Sequence, residues 1–247
     1  MNIKGLIIRE TDFGEYDRYL TVLTQWNTKI SILCKGVRRR KNPFGAAVRL
    51  FCYGDFTVLE KRGKYTLQEA ESLDSFWEIT GDVEAYALCC YFSQLIETGL
   101  TECLPAEWEE ERPPFLRLFL CALYALLRQK RRPALVKAAL EMRFLEMSGY
   151  GADVSGCRAC GGELLYFSVE NGNGLCAHCG PAPGYQRISR GTAQALQHML
   201  TADLKRLFAY QVGAETEKEL AQLCQRYVLY HCDRGFDTLD FYRSLHL

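Results

Sequence analysis

Long hydrophobic runs are missing from this 247-residue chain: the longest, Leu118–Leu127, spans ten residues. That is about half of what a membrane-spanning helix needs. The opening Met1-Asn2-Ile3-Lys4-Gly5-Leu6-Ile7-Ile8 reaches Arg9, Glu10 and Asp12 too soon for a secretory leader, so a reducing cytosol is the expected setting. Histidine is scarce: there are four, none in an H-E-x-x-H or H-x-E arrangement, which argues against zinc proteases and deaminases. Neither G-x-x-x-x-G-K-[ST] nor G-x-S-x-G occurs, which removes the P-loop and nucleophile-elbow readings. Gly172-Asn173-Gly174-Leu175-Cys176-Ala177 imitates a dinucleotide fingerprint but has no strand–helix setting. With no evident carboxylate pair, internal repeat or low-complexity tract, the chain reads as a non-enzymatic globular protein.

One further absence is regional. Residues 65–111 contain no lysine or arginine and twelve Asp/Glu, whereas residues 1–64 carry thirteen Lys/Arg against six Asp/Glu. The formal net charge of zero conceals this separation. The basic density peaks at Lys35-Gly36-Val37-Arg38-Arg39-Arg40-Lys41, five cations in seven residues. A cluster of this kind on a strand-patterned segment suits a polyanion, because each neutralised phosphate releases condensed counterions.

The residues around that cluster alternate as strands do. Ile3–Phe13, Tyr19–Gln25, Ile30–Val37, Phe51–Lys61 and Tyr65–Glu71 are rich in β-branched and aromatic residues, and turn-formers such as Trp26-Asn27 and Arg62-Gly63 separate them. Gly54-Asp55 suggests a bulge in a curved strand. Five short strands in so few residues suit a small closed barrel of the OB type.

The period then changes from 2 to 3.6, which places a boundary near residue 80, with 1–80 as the barrel and 81–247 as an all-α domain. Leu116, Phe119, Leu120, Leu123 and Leu127 make one helical stripe, and Leu135, Ala139, Met142 and Leu145 a second. Leu220, Leu223, Cys224, Tyr227 and His231 make a third, with Thr216-Glu217-Lys218-Glu219 expected as its capping box. Glu107-Trp108-Glu109-Glu110-Glu111 is expected to be a solvated helix N-terminus. The overall class is therefore α+β and multidomain.

Twelve cysteines divide into two groups. Eight (Cys34, Cys52, Cys89, Cys90, Cys103, Cys121, Cys224 and Cys232) are scattered, mostly in apolar runs, and are expected as small buried hydrophobes. The other four form Cys157-Arg158-Ala159-Cys160 and Cys176-Ala177-His178-Cys179, fifteen residues apart, each pair followed by glycine. Four thiolates at this spacing can close a tetrahedral shell around one structural Zn2+. The expected lobe covers roughly 154–183, with Cys157, Cys160, Cys176 and Cys179 as ligands and His178 outside the shell. A pair of redox-active C-x-x-C sites is the weaker reading, since no βαβ unit surrounds either pair.

Two stretches together carry a family resemblance. The first is Gly5-Leu6-Ile7-Ile8-Arg9, then Gly14-Glu15-Tyr16-Asp17-Arg18-Tyr19-Leu20-Thr21-Val22-Leu23-Thr24 and Lys35-Gly36-Val37-Arg38-Arg39. The second is Arg143-Phe144-Leu145-Glu146-Met147-Ser148-Gly149-Tyr150 leading into Cys157-Arg158-Ala159-Cys160-Gly161, with Phe167-Ser168 and Gly174-Leu175-Cys176 after it. In this order they resemble the RecO family of bacterial recombination-mediator and repair proteins. Asn42-Pro43-Phe44 departs from the Ser-containing turn of many relatives, and some relatives lack the four cysteines.

The resemblance implies an N-terminal OB-fold, a helical domain and a zinc lobe in a cytoplasmic, nucleoid-associated protein. It implies binding of single- and double-stranded DNA, annealing of complementary strands, and loading of RecA onto strands coated by single-strand-binding protein. It also implies partners: RecR, the acidic tail of the single-strand-binding protein, and RecF. Lys35, Arg38, Arg39, Arg40 and Lys41 are the expected phosphate contacts, with Arg9 and Arg18 next. Phe44, Phe51, Tyr53 and Phe56 could stack bases but better suit the barrel interior. Arg128-Gln129-Lys130-Arg131-Arg132 is a second basic group at a helix end, where positive charge also suits the dipole. Two other readings compete: a zinc-ribbon adaptor whose cations meet an acidic protein, and a nuclease using Asp12, Asp17 and Asp55.

Overall fold

The computed structural model describes residues 1–42, 44–100 and 113–245. It divides into two compact units, Met1–Leu116 with Phe241–Leu247, and Arg117–Asp240.

The first unit is built on five strands: β1 (Asn2–Phe13), β2 (Asp17–Thr24), β3 (Lys29–Cys34), β4 (Cys52–Lys61) and β5 (Lys64–Ser75). They close in the order β1-β2-β3-β5-β4. All pairings are antiparallel except β3 with β5, where Ile32 faces Tyr65 and Leu33 faces Thr66. This is the five-stranded OB-like barrel expected from the alternation. Leu20 and Val22, Ile30, Ile32 and Cys34, Phe56 and Val58, and Tyr65 and Leu67 point inward at every second position and fill the interior.

Two glycines make the closure sterically possible. A Cβ at Gly5 would stand 2.5 Å from the Leu23 carbonyl oxygen, and one at Gly54 would stand 2.6 Å from that of Glu71. Gly54 also sits at a register shift between β4 and β5, the bulge expected there. A second shift, between Ile7 and Arg9, inserts Ile8 into β1. It reverses the alternation of that strand: Ile3 and Ile7 lie in the core, whereas Arg9, Thr11 and Phe13, of the same parity, are exposed. Helix α1 (Val83–Thr98) groups with the barrel; the Asp82 carboxylate caps it by accepting from the Ala85 amide at 3.1 Å.

The remaining helices are α2 (Phe115–Leu127), α3 (Pro133–Leu145), α4 (Arg190–Thr201), α5 (Ala214–Cys232) and α6 (Asp237–Ser244). Pro133 opens α3, where its missing N–H leaves no intrahelical bond unmade. In the second unit α3 is buried on all sides and packs against α4 and α5. Arg143, buried within it, donates to the carbonyls of Met199 (2.6 Å) and Ala202 (2.7 Å), satisfying the C-terminal end of α4. A left-handed Gly149 (φ +87°) ends the π-helical turn Glu146–Tyr150 that follows α3.

The expected capping box is overturned. Helix α5 begins at Ala214 with Gly213 as N-cap and no side-chain cap, so Thr216 lies inside the first turn. Glu219 instead accepts from the Ser189 amide at 3.2 Å and from the Thr192 hydroxyl, bracing the start of α4. The acidic stretch Glu107–Glu111, Cys103 and Pro43 lie outside the described residues. Among the described residues no helix is long and apolar enough to cross a membrane.

The clearance at Gly54 gives a direct test. Gly54→Ala should lower the free energy of unfolding in urea by about 1–3 kcal/mol, since the nearest atom is backbone and cannot swing away. Gly81→Ala, where an added Cβ meets nothing within 4 Å, should be neutral or slightly stabilising.

Candidate nucleic-acid interface and metal centre

Strand β3 ends at Cys34, earlier than its alternation suggests, because Gly36 (φ +68°) turns the chain into the left-handed region. Lys35–Lys41 is therefore a connecting segment pinned to the β1–β2 hairpin. The Gly36 amide donates to the Asp17 carboxylate at 2.8 Å and the Arg38 amide to the Tyr16 carbonyl at 3.0 Å. Val37 is buried in the barrel core, while Lys35, Arg38, Arg39, Arg40 and Lys41 are all exposed.

The seven expected DNA contacts do not stand in equivalent surroundings. Arg38 reaches Asp12 at 3.4 Å, and Arg39 lies over the Tyr16 ring with its guanidinium 5.3 Å from the centroid. Lys35, Arg40 and Lys41 meet no carboxylate within 4 Å among the described residues. Arg18 is held by Glu10 and by Asp12, the latter at 2.8 Å, and is largely covered. Arg9 pairs with Glu97 at 3.0 Å but remains 57% exposed.

The outer face of β1–β2–β3 also presents aromatic rings that the sequence analysis did not single out as contacts. Phe13 is half-exposed and meets Tyr19 edge to face, with centroids 5.1 Å apart; Tyr16, in the turn between β1 and β2, is also exposed. The bulge at Ile8 turns Phe13 outward, and because it shows only in the pairing of β1 with β2, no local sequence signal marks it. Phe56 lies in the barrel core as expected and Phe44 packs partly against it, whereas Phe51, equally buried, meets Tyr86 of α1 edge to face with centroids 6.0 Å apart, and Tyr53 is half-buried. In the second basic group, Arg132 is committed to Glu217 and to the Val212 carbonyl at 2.7 Å.

The four knuckle cysteines come together. A small sheet of β6 (Asp153–Cys157), β7 (Tyr166–Ser168), β8 (Asn173–Leu175) and β9 (Gln186–Arg187), ordered β6-β8-β7-β9, carries them in its turns. The Gly161 amide donates to the Cys157 carbonyl at 2.7 Å and the Gly180 amide to the Cys176 carbonyl at 3.0 Å, closing two matching tight turns. The sulfurs of Cys157, Cys160, Cys176 and Cys179 all lie within 4.8 Å of one another, with Cys160–Cys176 at 3.5 Å and Cys160–Cys179 at 3.6 Å. Tetrahedral thiolates around zinc stand about 3.8 Å apart, given a Zn–S bond of about 2.3 Å. A disulfide would require about 2.05 Å.

Protonation of these thiols is divided. Burial opposes ionisation of Cys157, yet amides directed at its sulfur outweigh it and bring the thiol down to about 6. Crowding by the sulfurs of Cys160 and Cys176 pushes Cys179 up to about 12. Full ionisation of such a set calls for a cation at its centre. Among the described residues no other group of three or more His, Cys, Asp or Glu is placed to hold a metal, so Asp12, Asp17 and Asp55 form no such site. Gly172 (φ +60°) and Gly174, which mimic the dinucleotide fingerprint, serve the β7–β8 hairpin.

Of the scattered cysteines, Cys34, Cys52, Cys89 and Cys224 are buried and Cys90, Cys121 and Cys232 half-buried. Burial pushes the Cys34 thiol up to about 12, and raises Cys89 and Cys224 as well. In native protein at pH 8, iodoacetamide should leave these three unlabelled, and mass spectrometry after unfolding should find them fully reactive. Because their folded-state values exceed the unfolded value, their contribution to stability is complete below about pH 9. It should be lost as the pH rises from there toward 12, as a falling urea midpoint.

Comparison with known proteins accounts for nearly the whole chain. Residues 1–76 match the family model described as Recombination protein O N terminal, and residues 80–240 match Recombination protein O C terminal. The chain is 30% identical to the DNA repair protein RecO of Acetivibrio thermocellus, over 99% of this chain and 97% of that one. It is 30% identical to that of Frankia casuarinae (96% of each) and 26% identical to that of Symbiobacterium thermophilum (99% and 97%). The closed five-stranded barrel, the helical region and the two matched halves agree, and the chain belongs to the RecO family of DNA repair proteins.

Proposed function

We propose that this chain is a non-enzymatic recombination mediator that binds single- and double-stranded DNA, anneals complementary strands and helps load RecA onto strands coated by single-strand-binding protein. The observation that carries this reading is the pinned segment Lys35–Lys41, which keeps its cations exposed on the flank of an OB-like barrel. Annealing needs no bond chemistry. Two polyanions repel, and a surface that neutralises phosphates while leaving base edges free lowers that barrier. Lys35, Arg38, Arg39, Arg40 and Lys41 form the phosphate track. Arg9 extends it along the barrel, and Arg18 contributes mainly by holding Glu10 and Asp12 in place.

Residues 1–80 form the DNA-binding domain, and the helical domain 81–247 meets the acidic tail of single-strand-binding protein; RecR and RecF are the further partners. One structural Zn2+ is held by Cys157, Cys160, Cys176 and Cys179. The converging sulfurs and the tight turns at Gly161 and Gly180 support that choice, and the closed shell gives the ion a scaffolding role. The setting is cytoplasmic and nucleoid-associated.

Annealing of complementary oligonucleotides coated with single-strand-binding protein tests the central claim, and acceleration without nucleotide is expected. Lys35→Ala/Arg39→Ala should weaken binding across all sequences and flatten log K against log [salt] by about 0.7–0.9 per lost phosphate contact. An unchanged slope would overturn the assignment and favour the adaptor reading. Elemental analysis should find one zinc per chain. Cys176→Ser should abolish it and loosen the 153–187 sheet in hydrogen exchange, leaving the barrel protected.

A further inference from the structure

The ring cluster at the tip of the β1–β2 hairpin stands beside the basic segment and is bound to it by backbone. Phe13 is 51% exposed and Tyr16 43% exposed, so one short hairpin presents two rings to water. Packing within the barrel does not require it: Phe13 points away from the core because of the extra residue at Ile8. Its edge-to-face contact with Tyr19 fixes its position. The Arg38 amide on the Tyr16 carbonyl and Arg39 over the Tyr16 ring hold the hairpin and the cations as one surface. Rings alternating with cations is the arrangement that binds a flexible, unpaired nucleic-acid strand, with phosphates on the cations and bases on the rings.

We infer that Phe13, backed by Tyr19, is a stacking platform for an unpaired base and makes this face prefer single strands over duplex. The inference rests on the DNA-binding reading above and deepens it. A base inside a duplex has both faces covered by its neighbours, so it can add phosphate contacts but no stacking. A base stacked by its face keeps its hydrogen-bonding edge free for a complementary strand, which is what annealing requires. The salt-dependent and salt-independent parts of binding therefore separate onto different residues.

Fluorescence anisotropy of the full chain tests this with three probes: an oligo-dT strand, the same backbone with abasic sites throughout, and a mixed-sequence duplex. Phe13→Ala should weaken oligo-dT binding about five- to tenfold or more. It should leave the abasic strand, the duplex and the salt slope unchanged. Phe13→Trp should retain oligo-dT affinity and gain indole quenching on oligo-dT but none on the abasic strand, a readout that a folding defect cannot mimic. Equal loss on all three probes, no loss on any, or no base-dependent quenching would overturn the platform. Failure of the unaltered protein to bind any probe would overturn the DNA reading itself. Loss of a protein partner with all three affinities intact would assign the rings to a protein contact.

Discussion

Five like charges in seven residues repel one another, and the fold must hold them together without cancelling them. Backbone atoms do most of this. Gly36 takes a conformation open to glycine, its amide finds Asp17, the Arg38 amide finds the Tyr16 carbonyl, and Val37 is buried below. Because the anchors are amides and one apolar side chain, four of the five cations keep clear of carboxylate partners. Asp12 touches only Arg38 of the five while securing Arg18 within the hairpin. Closure of the barrel supplies the platform beneath, and closure itself depends on the clearances at Gly5 and Gly54.

The sulfur cluster meets the same difficulty with the opposite sign. Four thiols converge because two short turns force them to; amides favour ionisation of Cys157 while the neighbouring sulfurs oppose that of Cys179. The basic segment keeps its charge by facing water. The cysteines converge at the turns of a small sheet, Cys157 and Cys176 buried and Cys160 exposed, where a dication is the efficient remedy. Both places are made by glycine-dependent turns on rigid strands, and both would be lost if the strands beneath them moved.

Much of this was written in local patterns. Alternation located all five barrel strands, and the paired C-x-x-C spacing located the sulfur cluster, because both signals arise between residues close in sequence. The failures have a common origin in distance. The Thr216–Glu219 spacing satisfies a capping box, yet Glu219 is taken by Ser189 and Thr192, some thirty residues earlier. Strand β3 stops at Cys34 because the Gly36 amide has a partner in Asp17 on the far side of a hairpin. Phe13 escaped notice because one inserted residue, visible only through the pairing of β1 with β2, decides which way it faces. The ion pairs of Arg9 and Arg18 are equally invisible to local spacing, which is why seven cations that look alike in sequence differ in freedom.

Strand β5 exposes Glu69, Glu71 and Asp74 in a stretch without a single lysine or arginine, while the cations project from the connection after β3. A chain with no net charge feels no monopole attraction to a polyanion, but an electric dipole of this kind feels a torque. Screening confines that torque to about 8–10 Å at physiological salt, so it acts in the final approach. Attraction at the segment after β3 and repulsion at the acidic part of β5 would then bias the barrel's orientation before any specific contact forms.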